Sequence, residues 1–150
     1  MQSIRHWIVI PAILVIGAAS ALAKNGRDFA GFYSLTNAAP EGDQVRVTLS
    51  LQLFNYSGVD LPQAAVTIRT GPPEAATLGT YSSIEQWRDG TDVTFAMHLS
   101  ISRAEFERWT ARNQPTVFIV THDSQGREIE RTAQVSRRPA IQLQANPAAQ

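Results

Sequence analysis

Gln44-Val45-Arg46-Val47-Thr48-Leu49-Ser50-Leu51-Gln52-Leu53 alternates without a break: odd-numbered residues are apolar, even-numbered ones polar. Successive side chains of an extended strand point to opposite faces, so a period of two puts all five aliphatics on one flank. A helix would scatter them around its circumference. The stretch reads as a strand with one face in water and one against a second layer.

The same pattern recurs on both sides of it. Residues 29–36 read as a first strand, closed by residues 37–43 with Pro40 and Gly42. Val66 and Ile68 alternate with Thr67 and Arg69 in residues 64–70, which stop at Gly71-Pro72-Pro73. Residues 77–84 are β-prone but irregular. Residues 92–101 set Val93, Phe95, Met97, Leu99 and Ile101 on one side. Residues 116–122 and 128–135 complete the series, with turn-forming residues at 55–60, 89–90 and 123–126. Seven short strands with turns between them predict an all-β fold, an Ig-like seven-stranded antiparallel β-sandwich.

One helix is expected between the fifth and sixth strands, E and F in Ig lettering. Ser102-Arg103-Ala104-Glu105 has the form of a capping box, in which serine and glutamate each close an open amide. Ile101 and Phe106 are spaced for a hydrophobic staple. Phe106 and Trp109, three apart, share a side. Pro115 disfavours helix ahead of it, so the helix ends by Asn113. Trp109 is expected as a buried aromatic closing one end of the sandwich rather than as a ligand platform.

The chain opens as an export signal does. Arg5 precedes an apolar run over residues 7–19, interrupted by Pro11 and Gly17, and Ala21-Leu22-Ala23 has the small-x-small form that a signal peptidase accepts. The run is shorter than the roughly 20 residues of a spanning helix. The reading is a signal-peptide helix over residues 1–23, cut after Ala23 with Ala21 as the other small residue. A domain over residues 24–136 and a disordered tail over 137–150 follow. The destination is the periplasm or the outside of the cell. An uncleaved N-terminal helix holding the domain on the membrane is the alternative.

Composition narrows the function. Lys and Arg number 13, as do Asp and Glu, and without Arg5 the balance is −1. No basic run invites nucleic acid or an acidic membrane surface, so the membrane enters only through the leader during export. There is no cysteine, which excludes a thiol nucleophile, a cysteine-ligated zinc and a lipidated cysteine.

Residues 42–61, Gly42-Asp43-Gln44 through Asn55-Tyr56-Ser57-Gly58-Val59-Asp60-Leu61, resemble the second strand and following turn of bacterial Ig-like or fibronectin-III-like accessory domains of the CARDB and NEW3 groups. The shared features are a long alternating strand, a terminal Asn, a Ser-Gly turn and a valine-rich third strand, here Ala65-Val66-Thr67-Ile68. The antibody branch's cysteine pair, third-strand tryptophan and sixth-strand tyrosine are missing. The resemblance implies an envelope or extracellular module that positions or contacts other molecules.

An Ig-like tracing brings three turns to one end: residues 55–60, 87–92 and 122–126. They carry Tyr56, Asp60, Trp87, Asp89, Asp92, His122 and Asp123, the candidate ligand-binding cluster. Carboxylates there could hold calcium, and aromatic rings could stack on a sugar or a partner's side chain. Asp and Gly are also what tight turns require, and no EF-hand spacing is present, so no metal is expected. His6 leaves with the leader, His98 sits on the polar flank of its strand, and His122 abuts a turn. No Gly-x-Ser-x-Gly elbow, phosphate-cradling loop or His-Glu-x-x-His occurs. Asn55-Tyr56-Ser57 fits a glycosylation triplet, but Gly58 marks it as a turn. The expectation is a protein that is not an enzyme, takes no cofactor and works by contact with another envelope or extracellular protein. The alternative is a carbohydrate-binding module that meets polysaccharide through Trp87, Tyr56 and Tyr81.

Overall fold

The computed structural model describes residues 28–111 and 113–138. The leader, with Ala21 and Ala23, and residues 139–150 of the expected tail lie outside the described residues. Seven strands and one helix follow in order: β1 (Phe29–Glu41), β2 (Gln44–Asn55), β3 (Leu61–Arg69), β4 (Thr77–Trp87), β5 (Asp92–Ser102), α1 (Arg103–Ala111), β6 (Thr116–His122) and β7 (Glu128–Arg137).

The strands hydrogen-bond in the order β4-β3-β6-β7-β1-β2-β5. The result is the expected all-β sandwich, one layer holding β1, β2 and β5 and the other β3, β4, β6 and β7. One pairing departs from the antiparallel expectation. β7 pairs antiparallel with β6 up to Ala133, then parallel with β1 from Gln134 to Arg137. It thereby stitches the two layers along one side. On the opposite side β4 and β5 approach without a ladder, and Tyr81 stacks on Phe95 at 4.3 Å between ring centroids.

The alternation in β2 does what strand geometry requires. Val45, Val47, Leu49, Leu51 and Leu53 are each 4% exposed or less, while Gln44 and Arg46 face water. Val47, Leu49, Leu51 and Leu53 meet Val66, Ile68, Val117 and Ile119 from the facing layer in one core cluster. Burying an aliphatic side chain of this size stabilises by about 1.5–3 kcal/mol, so these positions carry much of the fold.

Two expectations need correcting. The first strand runs on to Glu41, past a register shift between Thr36 and Ala39, with Asn37 at φ 53° absorbing the irregularity. The tail does not begin at Arg137. That residue is the last of β7, and the Arg138 N–H bonds the Tyr33 carbonyl at 2.8 Å.

Candidate functional site

Asn55 organises the end of the sandwich where the three turns were expected to meet. As the last residue of β2 it is fully buried. Its amide group donates to the Val59 and Trp87 carbonyls at 2.9 and 3.2 Å. Its Oδ1 accepts the Ser57 N–H and hydroxyl at 3.0 and 2.7 Å. An amide with every lone pair and hydrogen in use is a structural pin. The glycosylation triplet therefore resolves as a turn, with Gly58 at φ 84°.

The acidic residues close the same turns. The Asp60 carboxylate accepts the Asp89 N–H at 2.8 Å, and the Asp89 carboxylate accepts the Gly58 N–H at 2.9 Å. The β2–β3 and β4–β5 turns thus cap each other. Asp92 accepts the Gln52 side-chain amide at 2.9 Å on the outer face of the β1-β2-β5 layer. Asp123 closes its own turn, accepting the Gln125 and Arg127 backbone N–H groups at 2.8 and 2.9 Å and pairing with the Arg127 guanidinium. Those bonds, the Arg127 amide foremost, hold its carboxyl below the usual carboxylate range. Among the described residues no three His, Asp or Glu side chains gather as metal ligands.

The aromatic members of the cluster separate. Trp87 is 2% exposed, tilted against Phe29 at 5.6 Å, and its indole N–H donates to the Thr91 carbonyl. It is a core residue and presents no ring face. Tyr81 is half-buried against Phe95. Only Tyr56 reaches the surface, stacked on Phe54 at 5.7 Å. Phe54 meets Phe32 edge-on at 6.4 Å, and the Arg138 guanidinium lies 3.7 Å from the Phe32 ring centre. His122 lines a cleft of about 210 Å³ with Gln63, Ser82 and Glu85. Asp60 and Asp89 are therefore brought together, whereas Trp87 is withdrawn into the core and Asp123 is committed to its own turn.

Sequence reasoning missed the buried polar cluster at the other end. Glu105 is 5% exposed. The Ser102 hydroxyl accepts its backbone N–H at 3.1 Å, as the capping box requires. Its carboxylate turns inward instead of closing the box. It accepts the Trp109 indole N–H at 2.7 Å and the Gly71 N–H at 3.2 Å, and pairs with Arg108 at 3.3 Å. The Arg108 guanidinium fills the space beside Gly71 that a side chain would need. A Glu and a Trp four apart on one helix face were visible in the sequence.

The open edge of β5 is the second feature that only strand order reveals. β5 ends the layer. The Asn55 N–H bonds the Thr91 carbonyl and the Arg103 N–H bonds the Asp43 carbonyl. These two bonds fix the parity of the β2–β5 ladder: odd-numbered β5 residues hydrogen-bond inward to β2. Asp92, Thr94, Ala96, His98, Ser100 and Ser102 consequently aim their N–H and C=O groups outward, and among the described residues no strand pairs beyond them. Between Asp92 and Arg103 the strand carries no charge, proline or bulge. β4, the other edge, is blunted. Its pairing with β3 shifts twice, each time with an extra residue on β4, and Gln86 sits at φ 52°.

No protein-family model and no curated protein matches this chain. Among solved structures it is similar to an inactive mutant of the GH20 exo-β-N-acetylglucosaminidase of Vibrio harveyi, with a TM-score of 0.41 and 11% identity. That match covers 73% of this chain and 18% of the enzyme. The same enzyme in complex with N-acetylglucosamine gives a TM-score of 0.35 and 13% identity over the same shares. A protein from Archaeoglobus fulgidus gives 0.29 and 12%, covering 69% of this chain and 94% of that one. This chain thus spans under a fifth of the glycosidase, and likeness at these scores assigns it neither substrate nor activity.

Proposed function

We propose that this chain is an exported, non-catalytic β-sandwich module of the periplasm or cell exterior that works by protein contact through the open edge of β5. The observation that carries the reading is that edge: eleven residues long, unbroken in register, uncharged from Val93 to Ile101, with outward backbone groups. Proteins that do not use an edge guard it, and a partner's extended segment gains main-chain hydrogen bonds there at little cost in shape. The leader over residues 1–23 supports export, and the resemblance of residues 42–61 to accessory domains agrees with a contacting role. The acidic turn residues act here as caps, and each carboxylate described above has a backbone or side-chain donor to explain it.

Cross-linking and capture from the native envelope test the reading. A defined protein should be held by the wild type and lost by Ala96→Pro, which removes one outward N–H. Capture that ignores the proline, or catalytic turnover that persists through repurification, would overturn it.

A further inference from the structure

We infer that the occupant of the β5 edge is the β5 edge of a second copy, paired antiparallel about a two-fold axis through Met97. The inference rests on the contact reading above and names its partner.

Three properties of the strand point to self-pairing. The first is face matching. A two-fold perpendicular to the sheet keeps outer face with outer face. Val93, Phe95, Met97, Leu99 and Ile101 of one copy then continue the same apolar flank in the other, while Thr94, Ala96, His98 and Ser100 continue the polar one. Parallel pairing of the same edges requires the axis to run along the strand. It flips one sheet and sets apolar against polar.

The second is register. Hydrogen-bonded pairs must join two outward-pointing residues, all even-numbered here, so the numbers of a pair sum to an even value. Full overlap of Asp92–Ser102 with itself is centred on Met97 and satisfies that condition. It opposes Asp92 to Ser102, Thr94 to Ser100 and Ala96 to His98, and leaves Met97 facing its own copy in a non-hydrogen-bonded site. Backbone polarity and maximal overlap select the same register.

The third is charge. The strand has an acid at its start and Arg103 directly after its end. Antiparallel pairing brings Asp92 of one copy beside Arg103 of the other, at both ends of the interface. The apolar flank is also incompletely covered along the first half of β5. Val93, Met97 and Tyr81 are half-buried, whereas Leu99 and Ile101 are 4% and 0% exposed. An open cleft of about 230 Å³ lined by Tyr81, Val93 and Phe95 runs alongside. A second copy continues the sheet over that margin.

The test uses the chain recovered from an exporting host, whose lack of cysteine makes introduced thiols unambiguous. Light scattering should give twice the chain mass for the wild type and the single mass for Ala96→Pro, which should still fold and melt cooperatively within a few degrees of it. A mixture of A96C and H98C should oxidise to a cross-linked heterodimer, because Ala96 opposes His98 across the axis. Each variant alone should stay uncross-linked. Self-linking of either variant, seen as H98C dimers without A96C or as A96C dimers without H98C, would overturn the register. A wild type monomeric at every concentration would overturn the second copy as occupant. In that case the contact reading is judged separately, by whether Ala96→Pro still abolishes capture of an envelope protein.

Discussion

The carboxylate of Glu105 accepts the indole N–H of Trp109 at 2.7 Å, one helical turn away, and both side chains are buried. The bond turns a residue that begins a helix into the anchor of the sandwich's closed end. The same carboxylate accepts the Gly71 N–H from the β3–β4 connection, and the Tyr33 hydroxyl donates to the Trp109 carbonyl at 2.8 Å. Helix, β1 and the β3–β4 connection are thus joined through one acid and one tryptophan.

Removing that acid should cost far more than removing a surface charge. Glu105→Ala leaves the Trp109 indole and Gly71 N–H donors without their acceptor, a loss of about 2–5 kcal/mol at the cost of an unsatisfied buried group each, while the half-exposed Arg108 guanidinium turns to water. Glu105→Gln keeps one acceptor oxygen and should lose less. Urea unfolding of both variants against wild type measures the difference, and equal midpoints for Ala and wild type would contradict the role given to Glu105.

Asn55 should be nearly as sensitive at the other end. Asn55→Ala abandons the Val59 and Trp87 carbonyls and the Ser57 donors together. The expected loss is about 2–3 kcal/mol, set by buried groups left unsatisfied. Asn55→Asp should also destabilise, because a carboxylate would face two carbonyl oxygens. Thermal melting reads both, with Tyr56→Ala as an exposed control that shifts little.

Much of this fold was legible because burial follows parity. Val45 through Leu53 point inward as the alternation demands, and every expected strand forms. What parity could not convey is where the chain breaks it. Ile84 and Trp87 both face the core although they lie three apart, since Gln86 at φ 52° rotates the end of β4. Trp87 therefore read as a turn residue beside Asp89-Gly90, and its ring as available. Glu105 was hidden for another reason: a carboxylate on an apolar helix face becomes intelligible only once Gly71 and Arg108 are beside it. Arg137 and Arg138 looked like the start of a tail because the partners of Arg138, the Tyr33 carbonyl and the Phe32 ring, lie on a strand more than a hundred residues earlier. The β5 edge depends on strand order, which no local pattern encodes.

Alkaline pH should loosen the end held by Tyr33. Burial raises its phenol above the usual value, with the Arg137 guanidinium opposing in part. The unfolded chain then ionises first, near pH 10. Stability contributed by the neutral phenol is complete below that point and is lost as pH rises toward the higher folded value. Tyr33→Phe should flatten this alkaline decline while costing about 1 kcal/mol at neutral pH for the bond to Trp109. Unfolding midpoints between pH 8 and 11 test it, and identical slopes for the two proteins would refute it.

The Asp123 turn should respond in the opposite direction. Its folded carboxyl is held below the usual range, so its stabilising effect is present at neutral pH. It is lost as pH falls through the folded value. Asp123→Asn should remove part of the acid sensitivity of the β6–β7 turn and leave the rest of the fold intact. Amide exchange of Gln125 and Arg127 at pH 7 and at pH 3 reports that turn alone. Protection unchanged by either acid or the substitution would count against the cap.

Proline placed along β5 distinguishes the two sides of the strand in a single measurement. At Ala96 the N–H points to the open edge and takes no part in the β2 ladder, so a ring there removes no internal bond. Proline is tolerated in just such edge positions. Ala96→Pro should therefore melt within a few degrees of the wild-type chain. One residue on, the Met97 N–H bonds β2 opposite Leu49, and the side chain packs beside Gly79. Met97→Pro loses a ladder bond and a core side chain together, a cost of roughly 3 kcal/mol or more. The neighbouring positions have the same strand and nearly the same distance from the ends in common, so the direction of the N–H and of the side chain separates them. Equal melting of the two variants would mean that the parity assigned to β5 is wrong, and with it the outward set of backbone groups on which the contact surface depends.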